Sequence, residues 1–153
     1  MFYSSKTILK KLKGKNISIT PFDLESLGPI SYEMHLGDII YKIKPKEEVL
    51  DASKPKEKEL IEIHLTNDSY LLSPGEFIVA KTKEQIYCDE NTMAIYDGKA
   101  SLAQIGLFTN ISSMLVEPKT DSKITCEIFN ASKYKIKLVV GQKIGQIAFC
   151  GVN

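Results

Sequence analysis

Apolar and polar residues alternate along most of the chain, and this alternation predicts strands nearly throughout. Ile17 and Ile19 are each followed by a polar residue. Residues 134–140 predict a half-buried strand with lysines on its outer face, and its apolar side carries Tyr134, Ile136, Leu138 and Val140. Turn-forming residues recur at short intervals, at Gly28-Pro29, Ser73-Pro74-Gly75, Asp97-Gly98, Pro118 and Gly141. Many short strands with regular turns predict an all-β sandwich or jelly roll rather than a βαβ fold.

The N-terminal residues are the exception, because their pattern predicts a short helix. The pair Ser4-Ser5 supplies N-cap hydroxyls, and Gly14 is a typical helix stop. Three apolar residues at helical spacing are expected on the buried face, namely Ile8, Leu9 and Leu12. One further helical turn is expected to start near Ser101 and to end at Gly106.

The length of the chain, 153 residues, fits one domain with a single core, and no internal repeat divides it. We therefore expect one β-barrel domain over residues 1–153. Residues 44–59 are rich in lysine, glutamate and proline. This composition predicts a long, mobile loop between two strands.

Composition and charge exclude several classes of function. The 20 basic and 19 acidic residues nearly cancel, so the surface as a whole gives no electrostatic case for a nucleic-acid polymer as partner. No apolar run approaches the length of a membrane span, and none at the N-terminus suits a signal peptide. Two histidines and three widely spaced cysteines are too few for a structural zinc site, so no protein-bound metal is expected. The cysteines indicate a reducing cytoplasm, and Cys126 and Cys150 are expected to pack in the core.

Residues 98–107 are the strongest candidate for a ligand site. A strand-like run ends at Gly98, after which Lys99 and Ser101 supply a cation and a hydroxyl. Gly98 and Gly106 let the backbone approach a ligand closely, and free N–H groups at the start of a helical turn attract anions. The pattern is consistent with a phosphate cradle in which Lys99 is the only side-chain cation. Taken alone, it fits a strand-to-turn connection with a solvated lysine better.

Six segments, in the same order along the chain, resemble motifs of the dCTP deaminase/dUTPase superfamily. They are residues 28–37 (GPISYEMHLG), 72–77 (LSPGEF), 98–107 (GKASLAQIGL), 116–118 (VEP), 126–130 (CEIFN) and 141–147 (GQKIGQI). The resemblance implies a distorted jelly roll or β-barrel of the dUTPase-like type. It also implies a homotrimer with sites between subunits. The implied ligand is a deoxynucleoside triphosphate, preferably a pyrimidine, which brings its own Mg²⁺.

Glu127 is the one catalytic-type residue that the resemblance retains intact. In dCTP deaminases the glutamate at this place activates water for attack on C4 of cytosine and carries a proton to the leaving amine, without metal. By strand pattern alone, a glutamate here is more typically a solvent-facing residue. Three motif residues are replaced: the first arginine by Lys99, the first serine by Ala100 and the next arginine by Gln104. These replacements remove, in that order, a bidentate guanidinium, a hydroxyl donor and a fixed cation. The second serine is kept as Ser101.

The resemblance also suggests roles for four other positions. Glu117 stands where the family has an acidic residue that bonds the sugar 3′-hydroxyl. Ser113 belongs to the pocket wall around residues 112–116, whose backbone contacts decide the base preference. Gln146 stands where dUTPases use a glutamine near the phosphates, although an edge or interface side chain is an equal alternative. His35 replaces a family arginine, and a structural role is expected for it.

Three classes of function remain open from these residues. The first is an enzyme of the dCTP deaminase or dUTP diphosphatase type. The second is a catalytically silent homotrimer that binds a nucleotide or a protein, which is favoured by the altered motif residues and by the lack of the family's C-terminal arm in the sequence to Asn153. The third, a structural module without ligand, leaves residues 98–106 unexplained. We expect nucleotide binding with little turnover.

Overall fold

The structure is a computed structural model that describes residues 1–44, 49–55, 58–65 and 69–153. Within those ranges the chain forms two short α-helices and eleven strands. In chain order they are α1 Ser5–Lys13, β1 Ile17–Thr20, β2 Tyr32–Lys44, β3 Glu59–His64, β4 Ser69–Leu72, β5 Phe77–Cys88, β6 Thr92–Gly98, α2 Ala100–Ala103, β7 Leu107–Phe108, β8 Leu115–Val116, β9 Asp121–Asn130, β10 Ile136–Val139 and β11 Lys143–Gly151. The all-β prediction is confirmed. None of the helices in the described ranges is long and apolar enough to cross a membrane.

Helix α1 begins and ends where the sequence predicts. The Ser4 hydroxyl accepts a hydrogen bond from the Thr7 backbone N–H, which satisfies one of the free donors of the first turn. Gly14 follows the last turn. Ile8 is fully buried, but Leu9 is 42% exposed, so its expected place on the buried face is wrong. Successive helical residues are rotated by about 100°, and this turns Leu9 away from the core when Ile8 points into it.

Nine of the described strands form one sheet in the order β7-β9-β5-β2-β11-β6-β8, with β1 added beside β5 and β3 beside β2. The sheet is antiparallel and curls into a half-barrel, as expected for a distorted jelly roll of the dUTPase-like type. Alternation decides which side chains enter the core: in β5, every second residue from Ile78 to Cys88 is buried. The largest fully buried side chains include Tyr32, Tyr96 and Phe149.

Two register shifts bend the centre of this sheet. One lies between Leu36 and Ile40 of β2, and the other between Lys81 and Gln85 of β5. At this place the Glu84 side chain is only 2% exposed. Its carboxylate accepts a hydrogen bond of 2.9 Å from the His35 backbone N–H and lies 2.6 Å from His35 Nδ1. A buried carboxylate needs such partners, and the contact agrees with the structural role expected for His35.

Asn130 joins the main sheet to the two-stranded sheet of β4 and β10. It is fully buried, and its Nδ2 donates to the carbonyl oxygens of Leu72 at 3.1 Å and Tyr134 at 2.8 Å. Its Oδ1 accepts hydrogen bonds from the Ser132 backbone N–H and hydroxyl, at 2.9 and 2.7 Å. These bonds close a turn before β10, so the strand begins at Ile136 and Tyr134 is 79% exposed. The predicted strand is therefore too long at its start.

The loop predicted over residues 44–59 lies partly outside the described residues, which omit 45–48 and 56–57. The strands on either side of this loop end and begin at the two ends of the predicted range. Strand β2 reaches Lys44, and β3 begins at Glu59.

The three cysteines are free thiols with different surroundings. Cys88 and Cys126 are fully buried, and burial raises the pKa of each thiol to about 12. Cys150 is only partly buried, so the expectation of a core position is wrong for it. In β11 the inward positions are taken by Ile147 and Phe149, and alternation turns Cys150 outward.

Candidate functional site

The first part of the site is a groove beside the loop that leaves β6. That strand ends at Gly98, Lys99 is the N-cap, and α2 adds a single helical turn. Gly106 has a φ of +82°, and a Cβ there would lie 2.9 Å from the Cβ of Ser132, so glycine is required for this tight return. The groove has a volume of about 260 Å³. Its lining residues are Glu33, Lys99, Ala100, Ser101, Gly145 and Gln146.

Strand β11 provides one wall of this groove because it lies between β2 and β6. Gln146 is the cross-strand neighbour of Glu33 on one side and Asp97 on the other. The Ser31 hydroxyl donates a 3.0 Å hydrogen bond to Gln146 Oε1, which anchors this side chain. A Cβ on Gly145 would lie 2.5 Å from the carbonyl oxygen of Asp97. Only glycine therefore allows β11 and β6 to approach this closely.

Glu33 binds two lysines in this groove. Lys99 Nζ donates to Glu33 Oε1 at 2.7 Å, and Lys143 Nζ contacts Glu33 Oε2. The hydrogen bonds from Lys143 and then Lys99 hold the pKa of Glu33 below its ordinary value. Lys99 is the cation that lines the groove, and Lys143 is a second cation on the Glu33 carboxylate from outside the lining. Lys143 is distant in sequence but reaches the same carboxylate because β11 pairs with β2.

The second part of the site surrounds Glu127 on β9. Glu127 is half-buried and alternates with the fully buried Cys126 and Ile128, so it lies on the outer face of the sheet. The Ser112 backbone N–H donates to Glu127 Oε2 at 2.8 Å, and the Ser112 hydroxyl lies 3.3 Å from the same oxygen. The loop between β7 and β8 therefore orients the carboxylate.

A depression of about 310 Å³ lies along β8 and β9. Its lining residues include Lys81, Ser113, Val116, Glu117, Lys123 and Thr125. Lys81 Nζ donates a 2.6 Å hydrogen bond to Thr125 Oγ1. Thr125 precedes Glu127 by two residues and shares its face of the strand. The depression is thus the polar neighbourhood of the Glu127 strand.

The structure brings the predicted site residues together in two groups. The first groove is lined by Lys99, Ala100, Ser101 and Gln146. The depression along β8 and β9 is lined by Ser113 and Glu117, and it shares no lining residue with the groove. Glu127 and Gln104 line neither of them, and Gln104 is an exposed residue at the C-cap of α2. The predicted phosphate-binding residues and Glu127 therefore do not share one depression of a single chain.

Sequence reasoning missed Glu33 and Lys143 as parts of the site. Each lies in a segment that the motif resemblance singles out, residues 28–37 and 141–147. Their contact depends on the pairing of β2 with β11, which no local pattern specifies. Strand alternation is the sequence signal that could have placed Glu33 on the outer face. Glu33 stands between the apolar Tyr32 and Met34, so its side chain must point away from the core.

The family of this chain follows from its match to a known family model. The model of the dCTP deaminase-like family matches residues 2–152. This chain belongs to the dCTP deaminase-like family. The motif resemblance found in the sequence is therefore confirmed.

Curated relatives of this chain are described as dUMP-forming dCTP deaminases. A "dCTP deaminase, dUMP-forming" of Hydrogenobaculum sp. (strain Y04AAS1) is 33% identical over 153 residues, which are 100% of this chain and 84% of the relative. A protein of Tropheryma whipplei (strain Twist) with the same description is 33% identical over 152 residues, covering 97% of this chain and 77% of the relative.

Solved structures share the fold of this family member. The 2′-deoxycytidine 5′-triphosphate deaminase of Agrobacterium tumefaciens superposes with a TM-score of 0.73 at 15% identity, covering 99% of this chain and 48% of the other. A dUTPase of Staphylococcus bacteriophage 80alpha with dUpNHpp gives a TM-score of 0.54 at 10% identity, covering 90% of this chain and 91% of the other. At these identities the likeness is one of fold.

Proposed function

We propose that this family member binds a pyrimidine deoxynucleoside triphosphate as its Mg²⁺ complex and deaminates dCTP slowly. The phosphates would lie in the groove of Lys99, Ser101 and Gln146, and the base would meet the Glu127 carboxylate of a neighbouring copy. The observation that carries the proposal is the Glu127 carboxylate itself, held outward on β9 by the Ser112 N–H at 2.8 Å. It is a positioned base in a chain of the dCTP deaminase-like family.

The chemistry proposed for Glu127 is general acid–base catalysis. The carboxylate would take a proton from water as the water oxygen bonds to C4 of cytosine. It would then deliver that proton to the amine as the C4–N bond breaks, which yields dUTP and ammonia. In the described part of the chain, Glu127 receives hydrogen bonds from Ser112 and contacts no cation. Because a fixed cation contributes strongly to such steps, turnover is expected to be slow.

Assays of dCTP and dUTP with Mg²⁺, with separation of the products, test this proposal directly. The relatives are described as dUMP-forming, so dUMP, the product of a dUTP diphosphatase type of hydrolase, is measured beside dUTP. Slow formation of dUTP from dCTP that stops in Glu127→Gln supports the proposal. A rate that is unchanged in Glu127→Gln contradicts it.

Replacing Lys99 should weaken nucleotide binding. Lys99→Ala removes a cation that would bond a phosphate, and we expect a loss of about 1–2 kcal/mol in binding free energy. Isothermal titration with dCTP measures the change, and Lys119→Ala is the control because Lys119 is exposed and lies outside the groove. Unchanged affinity in Lys99→Ala would locate the phosphates elsewhere.

The proposal includes a homotrimer with shared sites. The separation of the predicted residues into two depressions supports a site that a neighbouring copy completes. A row of three phenylalanines also crosses the outer face of the sheet, with Phe77 opposite Phe129 and Phe129 opposite Phe108. Phe77 is 39% exposed and Phe108 is 42% exposed. Covering such a row with another copy removes apolar surface from water.

A charge in this row should separate the copies. We expect Phe108→Asp to raise the dissociation constant of the assembly by about tenfold or more, because it would place a carboxylate in a desolvated contact. Light scattering over a dilution series measures the mass of the wild-type chain and of Phe108→Asp. Val139→Asp is the matched control, since Val139 is 40% exposed on β10, away from the row. A monomeric mass for the wild-type chain at micromolar concentration would contradict the homotrimer and the shared site.

The second candidate function is a catalytically silent, nucleotide-binding homotrimer. It is favoured by Ala100 and Gln104, both exposed at α2 where the family motif has a serine and an arginine. Binding of dCTP without release of dUTP or dUMP over long incubation would select this function.

A further inference from the structure

The groove beside β6 contains an unusual arrangement of charge, one carboxylate between two lysines. Lys99 contacts Oε1 of Glu33 and Lys143 contacts Oε2, so each carboxylate oxygen has its own cation. Lys99 directly follows β6, and Lys143 lies at the start of β11, the strand between β6 and the β2 strand that carries Glu33. The Glu33 side chain is 28% exposed, and the lysines are 34% and 49% exposed, so solvent ions reach this cluster.

We propose that Glu33 is an internal competitor for the phosphates of the ligand, and that Lys143 is a second phosphate-binding cation beside Lys99. In the free protein the Glu33 carboxylate takes the place between the two lysines that a phosphate oxygen pair takes in the complex. This inference rests on the proposed function only in assigning the groove to a nucleotide. The class of ligand that it assigns to the groove is an oligophosphate.

The groups differ in how far they can move. Glu33 lies within β2, between Tyr32 and Met34, which are 1% and 0% exposed, so its backbone is fixed by the core. The lysine ammonium groups sit on long, flexible stems near the surface. An arriving phosphate therefore draws Lys99 and Lys143 away from Glu33. The two ion pairs must break, and the remaining carboxylate repels the phosphate.

The other polar groups of the groove suit the same ligand. The Ser101 hydroxyl is exposed at α2, and Gln146 is anchored by Ser31 at the cross-strand position next to Glu33. These two neutral hydrogen-bonding side chains line a volume of about 260 Å³ together with Lys99 and Glu33. Lys143 is not part of this lining but reaches the same Glu33 carboxylate.

Binding of inorganic triphosphate to Glu33→Gln tests the inference. The measurement is isothermal titration in buffer with a chelator and without Mg²⁺, so that no metal bridges the carboxylate and the phosphates. Because two partly exposed ion pairs no longer compete, we expect Glu33→Gln to bind triphosphate about three- to tenfold more tightly than the wild-type chain. Glu90→Gln is the control, since it removes the same charge at the far end of β6, where Glu90 lies 3.7 Å from Lys119.

The role of Lys143 is tested in the Glu33→Gln background. Adding Lys143→Gln should reverse the gain, whereas adding Lys119→Gln should leave it unchanged. Thermal unfolding of each variant verifies that the fold is kept. Equal triphosphate affinity of the wild-type chain and Glu33→Gln, or weaker binding by Glu33→Gln, overturns the inference. A gain that survives Lys143→Gln overturns the assignment of the second cation.

Titrations of the same variants with dCTP, in buffer with Mg²⁺ and without the chelator, separate this inference from the proposed function. Tighter triphosphate binding by Glu33→Gln with no preference for dCTP over triphosphate supports the inference and contradicts the nucleotide function. Binding of dCTP that is indifferent to Glu33→Gln supports the nucleotide function and overturns the inference. Absence of binding by every variant contradicts both.

Discussion

Replacing Ala100 by serine and Gln104 by arginine together should raise the rate of dCTP deamination by about 10²- to 10³-fold, because a hydrogen-bond donor and a fixed cation would return to the transition state. Both positions lie at the ends of α2 on the surface, where a longer side chain meets no packed neighbour of the core. The gain should appear in kcat more than in KM, since these groups act on the reacting water and base. Product formation from dCTP under saturating substrate measures it.

Two controls make this result interpretable. Adding Glu127→Gln to the double variant should abolish the gain, since the proton carrier is then missing. Ala103→Ser places a hydroxyl on the same helix at an exposed position and should leave the rate unchanged. Rapid turnover of dCTP by the unmodified chain, lost in Glu127→Gln, would show that Ala100 and Gln104 do not limit this enzyme.

Asn130→Ala should destabilise the protein strongly, with a loss of about 3–5 kcal/mol in the free energy of unfolding. The Asn130 amide makes four hydrogen bonds in a fully buried position. Removing it leaves the carbonyl oxygens of Leu72 and Tyr134 without this donor, at the place where the two sheets meet. Urea unfolding followed by circular dichroism measures the loss.

The control for this substitution is Asn91→Ala. Asn91 is exposed in the turn between β5 and β6, and its hydrogen bonds with Asp89 and Val152 use its backbone. We expect a change within about 0.5 kcal/mol for it. A loss below about 1 kcal/mol for Asn130→Ala would mean that water replaces the amide in the turn.

Local patterns predict the parts of the fold that depend on near neighbours. The cap of α1 at Ser4 needs only the residues of the first turn, and the stop at Gly14 is equally local. The outer position of Glu127 follows from alternation within β9. The strand position predicted for Tyr134 is wrong, because the buried Asn130 closes a turn over residues that alternate like a strand.

Contacts between distant segments cannot be predicted in this way. The Glu33 pairs with Lys99 and Lys143 require three strands in a particular order, and that order is a property of the whole sheet. Glu84 is different, because a signal exists in the sequence. It occupies an inward position in the alternation of β5, and a carboxylate at such a position needs a partner, which proves to be His35.

The alternation of β9 also disfavours an incorrect register of this strand on β5. If β9 slipped by one residue along β5, Glu127 would turn into the core and Ile128 would turn into water. Burying a carboxylate without partners costs about 2 kcal/mol or more, and the bonds of Asn130 would be lost as well. Glu127, the residue proposed to move protons, therefore also favours the correct register of β9 on β5. Replacing Glu127 by an apolar side chain would lower the free-energy penalty of the slipped register, and the exposure of Ile128 and the lost Asn130 bonds would still disfavour it.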